Sequence, residues 1–507
     1  MNDKKLLIKN SLSGVIQLLI TAVLTFLCVP VLISKLGLEL YGVFAVLSVI
    51  SNLSTLADLG MDRALIVYLS NQGKSRESNY DIFIALFIKT LLLLLLLVVL
   101  IGLESKVLLD LLNIPSQYYN VSVVFYRCIL ISNVFMILGM SFASILDALQ
   151  KVYLNSFSRF IYSVIYWLGI LLVILLGKGL EAIGFISVLA SFVWFLITFF
   201  IALKYWGSFS VQGIYGNVKR IFFKQVSYSS KIFSASILNL FFEPLSKVLI
   251  SNYIGLNAVA LFDVALRIRG QIASLFSKAI YPLGPYIANT PNSPRLYDLI
   301  VDITKKIHLI IIPFAVIFVF VSQILLYLWM GDSTLKELTL FVSVLCGSFL
   351  LFVPSTYPIY QYLYTKSLAG KTVWIQCVNV SVNVFVFLAV YRFCGLYTIL
   401  YSNTIAYFCS YLLSLYYLNK FMHFNLQIML RFYTKIMLLL LSLFIIGWLL
   451  KSVIPFSMMD LIIYPVLLGF LYLFLMKYLH LIVKRDIDVY LGFFPWLKTV
   501  LSNFFRN

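Results

Sequence analysis

Long apolar runs separated by short polar links follow one another along almost the whole chain. Each run is close to the roughly 20 residues that an α-helix needs to cross a hydrocarbon core of about 30 Å. A transmembrane barrel would instead show segments of about 10 residues that alternate in polarity. The pattern predicts an all-α polytopic membrane protein with about fourteen transmembrane helices. The predicted helices span residues 11–34, 41–60, 82–103, 119–143, 154–177, 182–205, 229–253, 257–282, 306–330, 338–363, 370–393, 396–419, 430–453 and 457–480.

The composition agrees with this pattern and excludes a soluble globule. Of the 507 residues, 62% are hydrophobic and 11% are charged, and the mean hydropathy is +1.01. The net charge of +19 would fit a nucleic-acid partner only if a soluble domain presented a basic face, and the sequence contains no such domain. We therefore expect lipid as the solvent of most of the chain and no nucleic-acid partner.

The links between helices differ in positive charge. Links after odd-numbered helices contain about 6 Lys or Arg residues, whereas links after even-numbered helices contain about 17. Cytoplasmic links carry the excess of Lys and Arg in multi-pass membrane proteins. The asymmetry places both termini in the cytoplasm.

A short motif recurs at two places in the chain. Val-Leu-Ile-Ser followed by Gly-Leu occurs at residues 31–38, at the end of helix 1, and again at 248–256, at the end of helix 7. A serine-rich helix start precedes both copies. Because an even number of helices separates the copies, they share one orientation, as in transporters whose halves are related by an axis along the membrane normal.

Polar side chains form stripes at helical spacing on the first two helices of each proposed half. Since polar groups are costly in hydrocarbon, such a stripe should face a water-filled cavity or another helix. The alternative is helix packing, in which Ser, Thr and Asn bond across helices. The stripes comprise Asn10, Ser13, Gln17, Thr21 and Thr25 on helix 1; Ser48, Ser51, Thr55, Asp58 and Asp62 on helix 2; Ser229, Ser236, Asn239, Glu243 and Lys247 on helix 7; Asp263, Arg267, Gln271, Ser274 and Lys278 on helix 8; and Gln376, Asn379 and Asn383 on helix 11.

Full charges lie several turns from either end of helices 7 and 8. Glu243 with Lys247, and Asp263 with Arg267, are four residues apart and would neutralise each other along one helix face. Helix packing alone explains these charges poorly, because ionised groups inside a membrane are expensive and mark functional sites.

The spacing offers Arg269 and Lys278 no partner on their own helix, and three further cations lie inside helices 3, 4 and 5. For Lys89 and Arg159 the alternative is snorkelling to the cytoplasmic face, whereas Arg127 lies deeper. Together, these five cations indicate an interior with excess positive charge, which would select a polyanion. Arg suits a phosphate because its planar fork donates two parallel hydrogen bonds, so a diphosphate is the expected ligand. These cations are Arg269, Lys278, Lys89, Arg127 and Arg159.

The candidate roles follow from these patterns. The expected binding set for diphosphate and sugar is Arg127, Arg267, Arg269, Lys278, Lys89, Arg159, Lys247, Gln17, Asn239 and Gln271. The carboxylates expected to couple an ion or balance charge are Asp58, Glu243 and Asp263.

Enzyme motifs are missing from the sequence. It contains no GxxxxGK[ST] phosphate loop, no GxSxG and no HExxH. The six cysteines lie in or beside apolar runs without a CxxC pair, and the three histidines are scattered near helix ends. We expect no enzymatic activity, no cofactor and no metal.

Several short motifs lie at or near the ends of the predicted helices. They are Asn10-Ser11, Pro30–Leu32, Leu36–Phe44, Leu56–Met61, Ala148–Lys151 and Ala369–Lys371. With these motifs the chain resembles the polysaccharide biosynthesis flippases of the O-antigen (Wzx) type. The similarity is strong over about the first 160 residues and concerns the scaffold rather than residues that read the substrate.

The resemblance implies a multidrug-exporter-like fold of two six-helix lobes around a central cavity. It places an N-lobe at 1–205, a cytoplasmic linker at 206–228, a C-lobe at 229–420, and helices 13 and 14 with the tail at 421–507, where these two helices would form a groove for a lipid tail. It implies alternating access in the bacterial cytoplasmic (inner) membrane, driven by a proton or sodium gradient. The implied substrate is an undecaprenyl-diphosphate-linked oligosaccharide, with membrane lipid, a glycan polymerase and chain-length proteins as further partners.

Three other functions stay open. A lipid II flippase of cell-wall synthesis would share the fold. A multidrug cation exporter would need net negative charge in its cavity. A membrane glycan polymerase or ligase would be expected to have a large external loop, and every odd-numbered link here is short.

Overall fold

The computed structural model is helix and turn throughout the part of the chain that it describes. It describes residues 2–52, 58–207, 212–213, 215–280, 283, 287, 290–331, 335–366, 368–422, 426–453 and 457–481. Within these ranges, side chains are described except those of residues 2–12, 52, 215, 228, 230–241, 278–279, 335, 369 and 426–430.

The helices follow the apolar runs of the sequence. In the first half of the chain they are α1 (Asn2–Leu36), α2 (Leu38–Leu47), α3 (Met61–Gln72), α4 (Arg76–Gly102), α5 (Tyr119–Ala148), α6 (Val152–Leu175), α7 (Leu180–Trp206), α8 (Val218–Tyr253) and α9 (Leu256–Ile280). In the second half they are α10 (Pro294–Met330), α11 (Leu335–Phe352), α12 (Tyr357–Thr365), α13 (Ala369–Cys394), α14 (Thr398–Met422), α15 (Leu426–Val453) and α16 (Asp460–Tyr478).

Two predicted helices are interrupted. The helix expected at 41–60 ends as α2 at Leu47, continues as a 3₁₀ turn over Ser48–Asn52, and is followed by α3 after the left-handed Gly60 (φ 79°). The helix expected at 338–363 is divided by a 3₁₀ turn at Pro354–Thr356 into α11 and α12. Pro354 causes the second break, because proline lacks the N–H that continues a helix.

The two copies of the repeated motif adopt the same local structure. Gly37 (φ 79°) separates α1 from α2, and Gly255 (φ 124°) separates α8 from α9. Both positive φ values favour glycine, which has no Cβ to clash in this region. Leu38 and Leu256, the next residues of the motif, each begin the following helix.

Ten helical stretches in the described residues have the length and composition to cross a membrane. One of them, Gly370–Met422, contains both α13 and α14. A shorter apolar helix covers Leu38–Ser51. Helix α9 is not among the ten, and it carries the charges Asp263, Arg267 and Arg269.

The chain divides into two compact units. The first contains Met1–Val264 together with Phe387–Ile399, and the second contains Ala265–Val386 together with Leu400–Asn507. The lobes proposed at 1–205 and 229–420, with a linker at 206–228 and a final segment at 421–507, remain a prediction.

Closely packed helices form the core of the first unit. Leu65 of α3, Ile82 of α4 and Phe142 of α5 belong to one buried cluster. Helix α5 approaches α7 closely at Gly139, which lies against Trp194. A Cβ at this position would overlap the indole ring, so the contact requires glycine. This packing fixes the helices that carry the charged cluster of the first unit.

The last two helices pack on α10 in the second unit. Phe320 of α10 stacks on Tyr464 of α16, with ring centroids 5.6 Å apart, and Leu443 of α15 joins the same buried cluster. The prediction that helices 13 and 14 form a groove for a lipid tail stays untested.

Candidate functional site: charged and polar clusters inside the helices

Lys89 is the centre of a buried cluster in the first unit. Its side chain, on α4, is 0% exposed, and Nζ lies 2.6 Å from Asp58 Oδ1. It also donates to Asp62 Oδ1 at the start of α3 and to Ser141 Oγ on α5, the latter over 3.0 Å. The snorkelling alternative is therefore wrong for Lys89, whose ammonium group points into the protein.

A tight turn brings the two carboxylates to the same lysine. Leu59 (φ 49°) and Gly60 (φ 79°) both adopt the left-handed conformation immediately before α3. Asp58 Oδ1 accepts a hydrogen bond from the backbone N–H of Asp62 over 3.1 Å. The carboxylate thus bonds an N–H group in the first turn of α3, where negative charge is favoured.

A second buried pair joins α8 to α9 within the first unit. Lys247 Nζ lies 2.6 Å from Asp263 Oδ1, and it donates to the carbonyl oxygen of Ala45 over 3.3 Å. Asp263 Oδ2 accepts a hydrogen bond of 2.8 Å from Tyr41 of α2. The sequence had offered each charge a partner four residues away on its own helix, whereas Lys247 and Asp263 bond to each other between helices.

Arg127 of α5 is exposed and paired with a carboxylate, and its predicted depth in the membrane stays untested. Its side chain is 59% exposed and forms a bidentate contact with Glu104, with Nε 2.7 Å from Oε2 and Nη2 3.1 Å from Oε1. A forked Arg–carboxylate contact occupies the donors that a phosphate would use.

Arg159 is held by neutral and aromatic groups. Its Nε donates to Asn155 Oδ1 over 3.3 Å, and its guanidinium lies 5.6 Å from the ring centroid of Trp194. The Asn155 amide in turn donates to both carboxylate oxygens of Asp147, over 3.0 and 3.1 Å. Arg159 retains its positive charge on the edge of a polar network.

Gln17 lies beside a cavity of about 370 Å³ within the first unit. Its amide donates to Thr21, whose hydroxyl donates to Ser163 of α6 over 2.9 Å. Ser13 and Ser156 also line the cavity. Part of the polar stripe on helix 1 therefore bonds a neighbouring helix, and part of it faces a cavity.

Arg269 belongs to the second unit. Its Nη1 donates to the Tyr407 hydroxyl over 2.6 Å, and its guanidinium lies 5.8 Å from the ring centroid of Phe349. Arg267 is half-buried and Gln271 is exposed.

The remaining predicted site residues are described only in part. Glu243 is half-buried on α8. The side chains of Asn239 and Lys278 lie outside the described residues.

Buried carboxylates outnumber buried lysines and arginines among the described residues, whereas the predicted excess of positive charge in a central cavity stays untested. The buried charged side chains of these residues include two lysines, Lys89 and Lys247, and five carboxylates. The arginines are partly or largely exposed. Burial favours neutralised charge, because an unpaired ion in a low-dielectric interior costs several kcal/mol. The buried carboxylates are Asp58, Asp62, Asp81, Asp263 and Asp460.

Sequence patterns missed several groups. Asp62 appeared in the helix 2 stripe but not in the candidate site, and Tyr41 and Ser141 carried no signal because neither interrupts its apolar run unusually. In the second unit, His308 and Tyr411 line an apolar cavity of about 860 Å³. The described residues contain no group of three or more His, Cys, Asp or Glu side chains arranged to hold a metal ion.

Comparison with protein families decides the class. The family described as polysaccharide biosynthesis protein matches residues 7–291, which is more than half of the 507 residues. The chain belongs to the polysaccharide biosynthesis protein family. This membership confirms the resemblance seen in the sequence motifs. No curated protein sequence matches the chain.

Solved structures show the fold of this polysaccharide biosynthesis protein. The lipid II flippase MurJ, in an inward closed conformation, is similar with a TM-score of 0.72 at 16% identity, over 94% of this chain and 99% of that one. An inward-facing multidrug resistance MATE family transporter of the MOP superfamily gives a TM-score of 0.56 at 15% identity, over 80% and 98%. A MOP superfamily transporter from Pyrococcus furiosus, described with a binding pocket of reverse polarity, gives 0.52 at 11%, over 82% and 96%. The predicted all-helical transporter fold is confirmed.

Proposed function

We propose that this protein is a flippase that moves an undecaprenyl-diphosphate-linked oligosaccharide, an O-antigen or similar surface glycan unit, from the cytoplasmic to the periplasmic leaflet. The observation that carries the proposal is the family match over residues 7–291. A transporter-like helical fold along 94% of the chain supports it, because such folds move substrates by alternating access. The protein lies in the bacterial cytoplasmic membrane with both termini in the cytoplasm.

The extent of the structural matches favours a lipid-linked cargo over a soluble drug. The MurJ structure matches 94% of this chain, whereas the two MATE and MOP transporter structures match 80% and 82%. The fold that matches nearly the whole of this chain is that of a lipid II flippase. Sequence identity of 16% leaves the cargo itself to experiment.

The proposed diphosphate-binding groups are chiefly arginines, because the guanidinium fork donates two parallel hydrogen bonds to a phosphate. Arg127, Lys89 and Lys247 each contact at least one carboxylate, so we leave them out of the proposed set. Arg159 donates to an amide and Arg269 to a phenol, and both keep a positive charge beside an aromatic ring. Arg267 and Lys278 complete the set, and Gln17, Asn239 and Gln271 would meet sugar hydroxyls.

The test is export of the glycan by a strain that lacks this gene and carries it on a plasmid. Arg159→Gln and Arg269→Gln should each reduce surface glycan at equal protein level in the membrane. Arg220→Gln is the matched control, because Arg220 is exposed and lies 3.4 Å from Glu77 at the start of α4. Full export by the Arg159→Gln/Arg269→Gln double variant would overturn the assignment of these arginines. Full surface glycan in the deletion strain would overturn the flippase function.

A lipid II flippase is the second candidate, and the TM-score of 0.72 to MurJ is the observation that favours it. The two cargoes share the diphosphate and differ in the glycan. Depletion of the resident lipid II flippase in a strain that expresses this protein separates them. Survival would assign lipid II as a cargo, whereas lysis together with retained surface-glycan export would assign the surface glycan.

A further inference from the structure

The buried cluster around Lys89 contains one more negative charge than positive. Lys89 is 0% exposed at its side chain, and the side chains of Asp58 and Asp62 are 13% and 10% exposed. One ammonium group balances one carboxylate, so the second carboxylate has no counter-charge within the cluster. An uncompensated charge at such a site costs several kcal/mol of desolvation. Binding of a cation, including a proton, removes this cost.

The atom without a partner is Asp62 Oδ2. It is buried and forms no hydrogen bond, whereas Oδ1 of the same carboxyl accepts from Lys89 and from Ser141 Oγ. Asp58 Oδ1 contacts Lys89 and the N–H of Asp62. A bare carboxylate oxygen excluded from water is among the costliest polar groups to bury, so the missing positive charge belongs here.

Other charged groups on the packed helices are engaged elsewhere or exposed. On α4, Asp81 is paired with Lys224 of α8 over 2.9 Å and also accepts from the Gln225 amide. On α5, Asp147 is bonded by the Asn155 amide of α6. On α3, Arg63 is exposed. The excess negative charge at Lys89 therefore finds no counter-charge among these groups.

A proton fits this site better than a metal ion. Hard divalent cations take about six or more oxygen ligands, and the ammonium group of Lys89 already occupies the space between the carboxylates. No group of three or more metal-ligating His, Cys, Asp or Glu side chains occurs in the described residues. A proton needs only one oxygen lone pair and adds no volume.

We propose that Asp58, Asp62 and Lys89 form a buried proton-binding site, with the proton on Oδ2 of Asp62. An O–H bond forms at that oxygen when the proton arrives from water, and no other bond changes. The site then holds one carboxylate, one neutral carboxyl and one ammonium group, so its charges sum to zero. The inference rests on the charges of the first unit alone and does not depend on the glycan cargo.

Loss of the proton would act on three helices together. Asp62 begins α3, Lys89 lies on α4 and Ser141 on α5. Deprotonation places two carboxylates against one ammonium group, and the repulsion weakens the packing of these helices. A proton held only by the folded protein stabilises it at low pH, and this stability is lost as pH rises through the point of release.

Infrared difference spectroscopy of the purified full-length protein tests the site directly. At neutral pH the protein should show the C=O stretch of a protonated carboxylic acid, which shifts in D₂O. Asp62→Asn should abolish this band, because asparagine replaces the protonated carboxyl by a neutral group of the same shape. Asp302→Asn is the matched control and should leave the band intact, since Asp302 is 51% exposed and pairs with Lys306.

A second variant keeps the test decisive if Asp62→Asn does not fold. Lys89→Met removes the ammonium group, so the cluster should bind a second proton and the band should roughly double in area. Absence of the band from the wild-type protein, its persistence in Asp62→Asn, or an unchanged area in Lys89→Met would overturn the proposal. Loss of the band on addition of sodium chloride at constant pH would also overturn it in favour of a sodium ion. A flippase assay that fails while the band behaves as expected would reject the cargo and leave this site standing.

Discussion

Lys247 and Asp263, on the consecutive helices α8 and α9, form a buried ion pair with 2.6 Å between Nζ and Oδ1. Their side chains are 10% and 4% exposed. Tyr41 completes the arrangement by donating to the other carboxylate oxygen. The buried ion pair joins α8 to α9, and the hydrogen bond from Tyr41 joins α9 to α2.

Removal of one partner of this pair should strongly destabilise the protein. Lys247→Met or Asp263→Asn leaves the other partner without full compensation and should lower the free energy of unfolding by about 3–5 kcal/mol. The Lys247→Met/Asp263→Leu double variant should recover most of the loss. Denaturant unfolding of each purified variant measures this free energy. Lys306→Met is the control, because its partner Asp302 is half exposed and such pairs contribute about 0–1 kcal/mol. Equal effects at both pairs would contradict the expectation.

Gly42 should tolerate no side chain. An ideal Cβ at Gly42 on α2 would lie 2.7 Å from the carbonyl carbon of Leu256 and 3.0 Å from its Cβ, at the start of α9. Gly42→Ala should therefore cost about 1–3 kcal/mol through forced separation of the two helices. Gly270→Ala is the control within a helix, since no atom lies within 4 Å of its Cβ, and it should stabilise the protein by up to about 1 kcal/mol. Thermal unfolding in detergent should move in opposite directions for the two variants.

The hydrogen bond between His308 and Tyr411 should be measurable in the second unit. His308 Nδ1 lies 3.0 Å from the Thr304 carbonyl, which only accepts, so Nδ1 carries the hydrogen and Nε2 accepts from the Tyr411 hydroxyl over 2.9 Å. Tyr411→Phe leaves the buried Nε2 without a donor and should cost about 1–3 kcal/mol. The nearby Tyr416 is 55% exposed, so Tyr416→Phe should change stability by less than about 0.5 kcal/mol. The comparison requires only unfolding curves of the two variants, and a null effect of Tyr411→Phe would refute the bond.

Cysteine labelling should establish the proposed orientation. Lys178 lies in the link between α6 and α7, and Lys219 at the start of α8, and both are exposed. In a chain whose six cysteines are replaced by alanine, Lys178→Cys should react with an impermeant maleimide added outside intact cells. Lys219→Cys should react only after the membrane is made permeable. The reverse pattern would place the termini outside.

Helix positions could be predicted because they depend on local sequence. A hydrocarbon solvent requires every backbone polar group to bond within its own segment, so a long apolar run becomes a helix whatever its neighbours are. The breaks were harder to predict. The end of α2 at Leu47 has no proline or glycine to mark it, whereas the break after α11 coincides with Pro354.

The sequence by itself determined that this is a helical membrane protein of the polysaccharide biosynthesis family, and which residues bring charge into the membrane. Only the tertiary structure decided which partner each charged side chain contacts. Lys247 binds Asp263 on the next helix, Lys89 binds Asp58 and Asp62, and Arg127 turns outward to Glu104. Spacing along one helix shows which side chains share a face, but the partner across the interface depends on which helices pack together, and no local pattern encodes that choice.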